Sequence, residues 1–177
     1  MKTITKWARI KIKWKSLLIP DGPLGDRARG KLYEPYLKSY GKNFKMGSQA
    51  FIFNPNGLEV GNDVYIGFNS YLGQGEVKLE DEVLIGNFVS ITASNHLIKG
   101  DSFRFGGYKA ESITIGRGSW IGAQSAITAG VSIGKSCLVA AGSIVTKSVN
   151  DSMVVGGVPA KEIATIEEFK KKYNLEK

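Results

Sequence analysis

The chain has 177 residues, enough for one domain, and a formal net charge of +8. The excess charge is confined to residues 1–47, which hold twelve Lys and Arg against three Asp and Glu. The basicity therefore belongs to an N-terminal arm, which argues against a nucleic-acid-binding domain. A single His and a single Cys also exclude a zinc site built from the usual nitrogen and sulfur ligands.

Residues 1–45 form the basic arm, and the conformation of its first part is ambiguous. As a helix, this part would place four apolar residues on one face: Ile4, Trp7, Trp14 and Leu18. As a strand, it would alternate three apolar residues: Ile10, Ile12 and Trp14. Further along, a loop is predicted at Pro20–Pro23 and a helix near Leu32–Tyr40.

Two roles are open for the arm. Lysines interleaved with tryptophan would suit peripheral contact with an anionic membrane surface. The interpretation that we favour is that the arm covers the end of the following repeats or packs on a neighbouring subunit. No run of about 18 apolar residues and no signal-peptide pattern occurs near the start. We therefore expect a cytoplasmic protein, at most peripheral to the inner face of the cell membrane.

The second half of the chain contains a strict six-residue repeat of branched aliphatic residues. Its members are Ile115, Ile121, Ile127, Ile133, Val139 and Val145. A helix repeats about every 3.6 residues and a strand about every 2, so this period indicates a coil of short flat segments. Small residues follow each aliphatic one, so three segments can close a triangular turn around an apolar interior. The pattern predicts an all-β solenoid, a parallel β-helix of hexapeptide repeats.

The same repeat extends towards the N-terminus with small slips. Its members there are Met46, Ile52, Val60, Ile66, Leu72, Leu79, Ile85 and Ile91. The coil is thus predicted over residues 46–160, interrupted by an inserted loop at 97–112 that follows the histidine. A loop of this length within a compact domain is usually functional or disordered.

The last segment, residues 161–177, is predicted to contain a short α-helix. Thr165 and Glu168 match a capping box, in which each side chain bonds the other residue's free backbone amide. An apolar stripe of Ile166, Phe169 and Tyr173 would follow. We expect this helix to cover the last turn of the coil or to reach a neighbouring subunit.

Four motifs place the chain near a known family: Ser112–Gly122, Ala129–Gly134, Ala141–Lys147 and Gly156–Lys161. Together they closely resemble the hexapeptide-repeat acetyltransferases, in particular the galactoside and maltose O-acetyltransferase branch that includes O-antigen and capsular polysaccharide O-acetyltransferases. The resemblance implies a left-handed coil, acetyl-CoA as the donor without a metal, and a homotrimer with active sites between subunits. It also implies a saccharide acceptor.

The resemblance assigns roles to individual residues as well. His96, in Ser94-Asn95-His96, matches the family's catalytic histidine. A neutral imidazole can accept the proton of a sugar hydroxyl while that oxygen attacks a thioester. The matching motifs imply backbone contacts to the pantetheine arm of acetyl-CoA at Ala123 and Ala141. They imply contacts to the nucleotide end at Thr146, Lys147 and Lys161.

The acceptor half of the resemblance is weaker. Where the galactoside enzymes place an Asn and an Asp that hold the sugar, this chain has Gly67 and Gly75. The same sugar bound in the same way is therefore not expected. Asn69, Gln74 and Asn95 are the candidates for acceptor contacts.

The expected function is transfer of an acetyl group to a hydroxyl of a surface polysaccharide or its precursor. The close alternative is N-acetylation of an amino sugar or its nucleotide derivative, which needs the same base and the same donor groove. A non-enzymatic scaffold is an alternative from another class, because it needs only the periodic core. A β-helical carbonic anhydrase would need three histidines for its metal, and this chain has one.

Overall fold

The computed structural model describes residues 4–175 and contains three α-helices within them. These are α1 (Lys6–Leu17), α2 (Pro23–Tyr33) and α3 (Ile166–Tyr173), with short 3-10 turns at Glu34–Tyr36 and Pro55–Gly57. The strands are β1 (Ser39–Tyr40), β2 (Lys45–Met46), β3 (Phe51–Ile52), β4 (Leu58–Val60), β5 (Tyr65–Ile66), β6 (Tyr71–Leu72), β7 (Val77–Leu79), β8 (Leu84–Ile85), β9 (Ser90–Ile91), β10 (Ser94–His96), β11 (Tyr108–Ala110), β12 (Ile113–Ile115), β13 (Trp120–Ile121), β14 (Ala126–Ile127), β15 (Ser132–Ile133), β16 (Leu138–Val139), β17 (Ile144–Val145), β18 (Met153–Gly157) and β19 (Ala160–Thr165).

These short strands stack in parallel to form the three flat faces of a triangular coil. Face 1 contains β1, β4, β7, β12 and β15, face 2 contains β2, β5, β8, β13, β16 and β18, and face 3 contains β3, β6, β9, β14 and β17. The chain passes from face 1 to face 2 to face 3 and back in each turn. Two edges matter below: the 2–3 edge, where face 2 passes to face 3, and the 3–1 edge, where face 3 returns to face 1. The predicted parallel β-solenoid is confirmed.

The aliphatic residue of each hexad fills the interior of the coil. Ile66, Ile85 and Ile121 stack directly on one another in face 2, and each is fully buried. Burying a side chain of this size stabilises the fold by about 1.5–3 kcal/mol. All fourteen interior positions of the predicted repeat are buried. The predicted period of six is therefore confirmed.

The small residue four positions after each aliphatic one has a second task at the corner. The hydroxyl of Ser119 donates to the carbonyl of Gly134 at 2.7 Å and accepts from the amide of Cys137 at 2.9 Å. At the 2–3 edge, Ser70 bridges Gly86 and Val89 in the same way. Buried backbone groups at the corners are thereby satisfied, which a bulkier side chain would prevent.

The first part of the arm is the helix α1, so of the two conformations left open the helical one is correct. Ile4 and Ile12 are buried, whereas Trp7 and Trp14 are 73% and 66% exposed, as is most of Leu18. Of the four apolar residues that a helix was expected to place on one face, only Ile4 is buried. A stripe of residues spaced by four positions, in which isoleucine alternates with a small residue, lies close to the coil: Ile4, Ala8, Ile12 and Ser16.

Helix α2 begins and ends earlier than the predicted helix near Leu32–Tyr40. Pro23 occupies its first turn, where the missing N–H is not needed, and Pro35 lies just beyond its end. Arg29 is 1% exposed and locks the helix onto the first turn of the coil. Its guanidinium donates to the carbonyl of Met46 at 3.0 Å and to the carboxylate of Asp26 at 2.6 Å. The arm therefore covers the first turn of the coil, and β1 already lies within the segment expected to be arm.

The C-terminal segment folds back on face 2 before its helix begins. Strand β19 pairs antiparallel with β18, and the boundary expected between residues 160 and 161 falls within β19. The capping box is confirmed: Thr165 accepts from the amide of Glu168, and the amide of Thr165 donates to the Glu168 carboxylate at 2.7 Å. The bonds that the Thr165 amide and hydroxyl donate to the Glu168 carboxylate lower the pKa of Glu168. Within residues 4–175, none of the helices has the length and apolar character needed to cross a membrane.

Candidate functional site

The predicted insertion is an antiparallel hairpin rather than an irregular loop. It leaves the 3–1 edge after buried Ala93 and returns at Glu111, whose amide donates to the Ala93 carbonyl at 3.0 Å. Its strands β10 and β11 pair across residues 94–96 and 108–110. The prediction of a loop at 97–112 is thus wrong in its bounds. Strands of three residues are too short to produce a recognisable alternation in the sequence.

The sequence predicted His96 at the end of a coil strand. In the structure it lies on this hairpin. The preceding coil strand β9 ends at Ile91, and His96 pairs with Tyr108 in the hairpin. The imidazole is exposed. An added Cβ at Gly106 would overlap the Leu97 carbonyl oxygen, so the hairpin can close only around a glycine there. The hairpin therefore holds the imidazole away from the coil, in reach of a ligand.

The end of the hairpin is apolar and open to solvent in the single chain. Its exposed large apolar side chains are Leu97, Ile98, Phe103 and Phe105. A contiguous group of this kind usually marks a surface that contacts another molecule.

A pocket of about 290 Å³ lies at the base of the hairpin on the 3–1 edge. Gln74 lines it, together with Tyr108 and Ala110 of β11 and Arg9 of α1. The Gln74 carbonyl accepts from the Ala93 amide at 2.9 Å, which fixes Gln74 beneath the hairpin. Of the predicted acceptor residues, Gln74 thus lies close to the hairpin that carries His96.

The other two acceptor candidates lie elsewhere. Asn95 is on β10 between Ser94 and His96, so its side chain points to the opposite face of the hairpin from His96. Asn69 is on the 2–3 edge with a φ of 52°, beside a concavity of about 380 Å³ formed with α1. Within one chain, the structure does not bring Asn69 to the histidine.

The two glycines that replace sugar-binding side chains have no room for a side chain. An added Cβ at Gly75 would lie 2.2 Å from the Ala93 carbonyl oxygen, and its φ of +88° disfavours other residues. An added Cβ at Gly67 would lie 2.5 Å from Gly86. The expectation of a different acceptor geometry therefore has a steric basis.

Ala123 and Ala141 occupy equivalent positions on consecutive turns of the 2–3 edge. The carbonyl of Ala123 accepts from the amide of Gly142 at 2.8 Å. Within residues 4–175, the amides of Ala123 and Ala141 donate no hydrogen bond. Two free donors one turn apart suit an extended ligand with amide carbonyls.

Thr146, Lys147 and Lys161 line one concavity of about 360 Å³ above the hairpin on the 3–1 edge. Pro159 and Ala160 form the adjoining wall. Both lysines are exposed, and neither forms an ion pair with a carboxylate among the described residues. Two unpaired ammonium groups over one concavity suit a phosphorylated ligand.

A family model for the hexapeptide repeat of succinyl-transferase matches residues 57–93 and 112–147. Galactoside O-acetyltransferase of Escherichia coli is 32% identical over 135 residues, 72% of this chain. The predicted acetyltransferase YJL218W of Saccharomyces cerevisiae is 31% identical over 172 residues, 93% of this chain and 83% of its own length. The chain belongs to the hexapeptide-repeat acetyltransferases. It spans 66% of the length of the Escherichia coli relative.

The fold of this acetyltransferase family member matches solved structures as well. A galactoside acetyltransferase in complex with coenzyme A superimposes with a TM-score of 0.79 at 24% identity, over 97% of this chain and 88% of that one. The two segments matched by the family model leave out residues 94–111, which are the hairpin. The family model thus matches the coil on either side of the hairpin.

Arg9 is a pocket residue that the sequence analysis did not identify. It is the one arginine among five lysines in residues 1–20, and that difference is the signal that could have found it. Its place beside the hairpin depends on how α1 docks, which the sequence pattern leaves open.

Proposed function

We propose that this protein is an acetyl-CoA-dependent O-acetyltransferase that acetylates a hydroxyl of a saccharide, in a surface polysaccharide such as O-antigen or capsule or in a precursor of one. The observation that carries the proposal is the exposed imidazole of His96, held on a hairpin beside an open pocket on the 3–1 edge. A histidine kept for packing would be buried against the coil. This one is available to a ligand.

His96 is the general base of the proposed reaction. Its neutral imidazole accepts the proton of the acceptor hydroxyl, and the hydroxyl oxygen forms a bond to the thioester carbonyl carbon. The carbon–sulfur bond then breaks, and the proton passes to the leaving sulfur to give free coenzyme A and an acetyl ester. General-base assistance of this kind contributes about a hundred- to ten-thousand-fold in rate.

The donor contacts follow the chemistry of coenzyme A. The ammonium groups of Lys147 and Lys161 bind its phosphates, and Thr146 adds a hydroxyl donor beside them. The free amides of Ala123 and Ala141 donate to the carbonyls of the pantetheine arm. The reaction as written requires no metal, since the thioester is already an activated acyl donor.

A homotrimer would complete the site. The free amides lie on the 2–3 edge, whereas His96 and the phosphate-binding lysines lie on or beside the 3–1 edge. If the 3–1 edge of one subunit faces the 2–3 edge of the next, one coenzyme can contact both sets. The exposed apolar end of the hairpin supports this arrangement, because a neighbouring subunit would cover it.

We also propose a cytoplasmic location peripheral to the inner face of the membrane, and the outward face of α1 supports the membrane contact. Trp7 and Trp14 point away from the coil, with the exposed cations Lys11, Lys13 and Lys15 around them. Aromatic side chains flanked by lysine are typical of helices that lie in an anionic lipid interface. Sedimentation with phosphatidylglycerol vesicles tests this role. Trp7→Ala and Trp14→Ala together should release the protein, and retention of the double variant would contradict it.

N-acetylation of an amino sugar is the alternative that shares every donor contact. The two functions differ in the nucleophile, because an amine and a hydroxyl can attack the same thioester. Turnover of glucosamine and glucose, or of their nucleotide derivatives, separates them. A kcat/KM far higher for the amine would replace the proposed function by this one.

The proposed function is tested by thiol release from acetyl-CoA in the presence of a panel of saccharides. The proposal expects saccharide-dependent release of coenzyme A and a rise in melting temperature with acetyl-CoA, since a ligand that binds the folded state stabilises it. It is contradicted if no saccharide is acetylated and acetyl-CoA leaves the melting temperature unchanged.

A further inference from the structure

The Arg9 guanidinium projects from α1 into the pocket beneath the hairpin. Its Cζ lies 5.0 Å from the ring centroid of Phe53, in cation–π contact with a side chain of the 3–1 edge. Its Nε is buried and has no hydrogen-bond partner within the described part of the chain. Arg9 also forms no ion pair there, in contrast with Arg29, whose guanidinium is fully satisfied.

Among the described residues, Arg9 is the one charged residue that lines this pocket. Its other lining residues are Phe53, Asn54, Gln74, Gly75, Tyr108 and Ala110, so no carboxylate is available to neutralise the guanidinium. An unpaired, partly buried guanidinium is costly unless a ligand supplies the missing acceptor. The planar fork of arginine matches the oxygens of a carboxylate or a phosphate.

His96 belongs to the same side of the hairpin as this pocket. Tyr108 and Ala110 line the pocket, and they pair with His96 and Ser94 across the hairpin. Directly opposite residues of an antiparallel pair project to one face, with their Cβ atoms about 5 Å apart. Residues that alternate by two along a strand share that face. The imidazole therefore lies at the rim of the pocket that contains Arg9.

We infer that the acceptor saccharide carries an anionic group, a carboxylate or a phosphate, which the Arg9 guanidinium binds while the hydroxyl to be acetylated lies at His96. The inference rests on the proposed function and adds the chemical class of its acceptor. It also accounts for Gly67 and Gly75, because an acceptor held by its charge does not need the two side chains missing there. Arg9 is thus a specificity-determining residue for the acceptor.

The test compares matched neutral and charged acceptors in the glucose and galactose series. Methyl glycosides are the neutral members, methyl glycosiduronic acids supply a carboxylate, and sugar 1-phosphates supply a phosphate. Each is assayed with the full-length protein and with Arg9→Gln, Arg9→Lys and Lys11→Gln. The last variant removes one exposed charge from the same helix and is the matched control.

We expect a charged member to exceed its neutral partner about tenfold or more in kcat/KM, as a charge-assisted hydrogen bond provides. Arg9→Gln should remove that preference and leave turnover of the neutral member nearly unchanged, Arg9→Lys should fall between, and Lys11→Gln should behave as the parent protein. Which charged series is preferred identifies the carboxylate or the phosphate as the natural group. Equal turnover of charged and neutral members by the parent protein, or an equal loss for both in Arg9→Gln, would overturn the inference.

A binding measurement keeps this result separate from the proposed function and from a folding defect. The melting temperature of each protein is measured with and without the charged sugars. A rise in the parent protein that Arg9→Gln lacks supports anion recognition even if no acetyl group is transferred, in which case the proposed function alone fails. If charged sugars do not raise the melting temperature of the parent protein and no charged sugar is preferred in turnover, the inference is wrong.

Discussion

The coil and the structures attached to its 3–1 edge follow different rules. In the coil, each interior position is filled by one aliphatic residue per hexad, and each turn repeats the last. At the 3–1 edge, the repeat is broken by the hairpin at 94–110, and α1 packs beside it. The proposed base and the anion-binding arginine both belong to these additions. In the function that we propose, the repeat provides the support, and specificity for the acceptor arises where the repeat stops.

The largest expected effect is a loss of turnover on changing the hairpin residue His96, with no change in the stability of the coil. His96→Ala should lower kcat by about a hundred- to ten-thousand-fold, because the general base is lost. Its melting temperature should stay within about 1 °C of the parent protein, since the side chain is exposed. Normal turnover by this variant would remove the proposed mechanism and leave the fold untouched.

A smaller effect is expected when the hairpin is displaced without touching its chemistry. In Gly106→Ala the added methyl group would overlap the Leu97 carbonyl, so the strand that bears His96 must shift. A misplacement of about 1 Å can reduce turnover about a hundredfold. Gly107→Asn is the control, because nothing lies within 4 Å of an added Cβ there and Asn tolerates a positive φ. Equal turnover of the two variants would show that the hairpin does not position the base.

Substitutions inside the coil should lower the free energy of unfolding. Ile121→Ala removes a fully buried side chain and should lower the free energy of unfolding by about 2–5 kcal/mol. Ile144→Ala, at an outward position of face 3, should lower it by less than about 1 kcal/mol. Urea unfolding at one fixed protein concentration measures both values. Equal losses would contradict the inside–outside alternation of the repeat.

The lysines beside the 3–1 edge should affect the donor only. Lys147→Ala and Lys161→Ala should each raise KM for acetyl-CoA about fivefold, which corresponds to about 1 kcal/mol for an exposed contact to phosphate. The acceptor KM should not change. Lys135→Ala, on the edge between faces 1 and 2, is the control for loss of one charge. A KM for acetyl-CoA that is the same in all three variants would place the phosphates elsewhere.

The smallest expected effect is local to α3. Thr165→Ala removes its N-cap and should destabilise the helix by about 1 kcal/mol, measured by hydrogen exchange of the helix amides. Because the bonds from Thr165 lower the pKa of Glu168, their contribution is present above the usual carboxyl range and is lost as pH falls through the lowered pKa. The difference between the two proteins should therefore shrink in acid. A constant difference would contradict the capping role of Glu168.

The coil could be predicted from the sequence because its rule is local. The six-residue period places Ile115 and Ile121 on neighbouring faces, and each position can be assigned without knowledge of distant contacts. The capping box at Thr165 is local in the same sense. Helix α1 was harder, because the apolar pattern of this segment fits a helix and a strand alike, and docking uses the stripe that contains Ile4 and Ile12.

The candidate site was predictable only in part. His96 was identified through its resemblance to a family motif. Motifs of the same family identified Thr146, Lys147 and Lys161, and these three residues line one concavity. The pairing of His96 with Tyr108 and the approach of Arg9 depend on tertiary contacts between distant segments. No spacing in the sequence encodes these contacts, so they could be seen only in the folded chain.

The identity of the bond that is formed tests the account most directly. Protein, acetyl-CoA and the preferred saccharide are incubated together, and the saccharide is examined by mass spectrometry before and after mild alkali. The account predicts one acetyl ester, removed by alkali, from the parent protein and almost none from His96→Ala. An acetyl group that survives alkali, or the same ester formed at the same rate by His96→Ala, would contradict it.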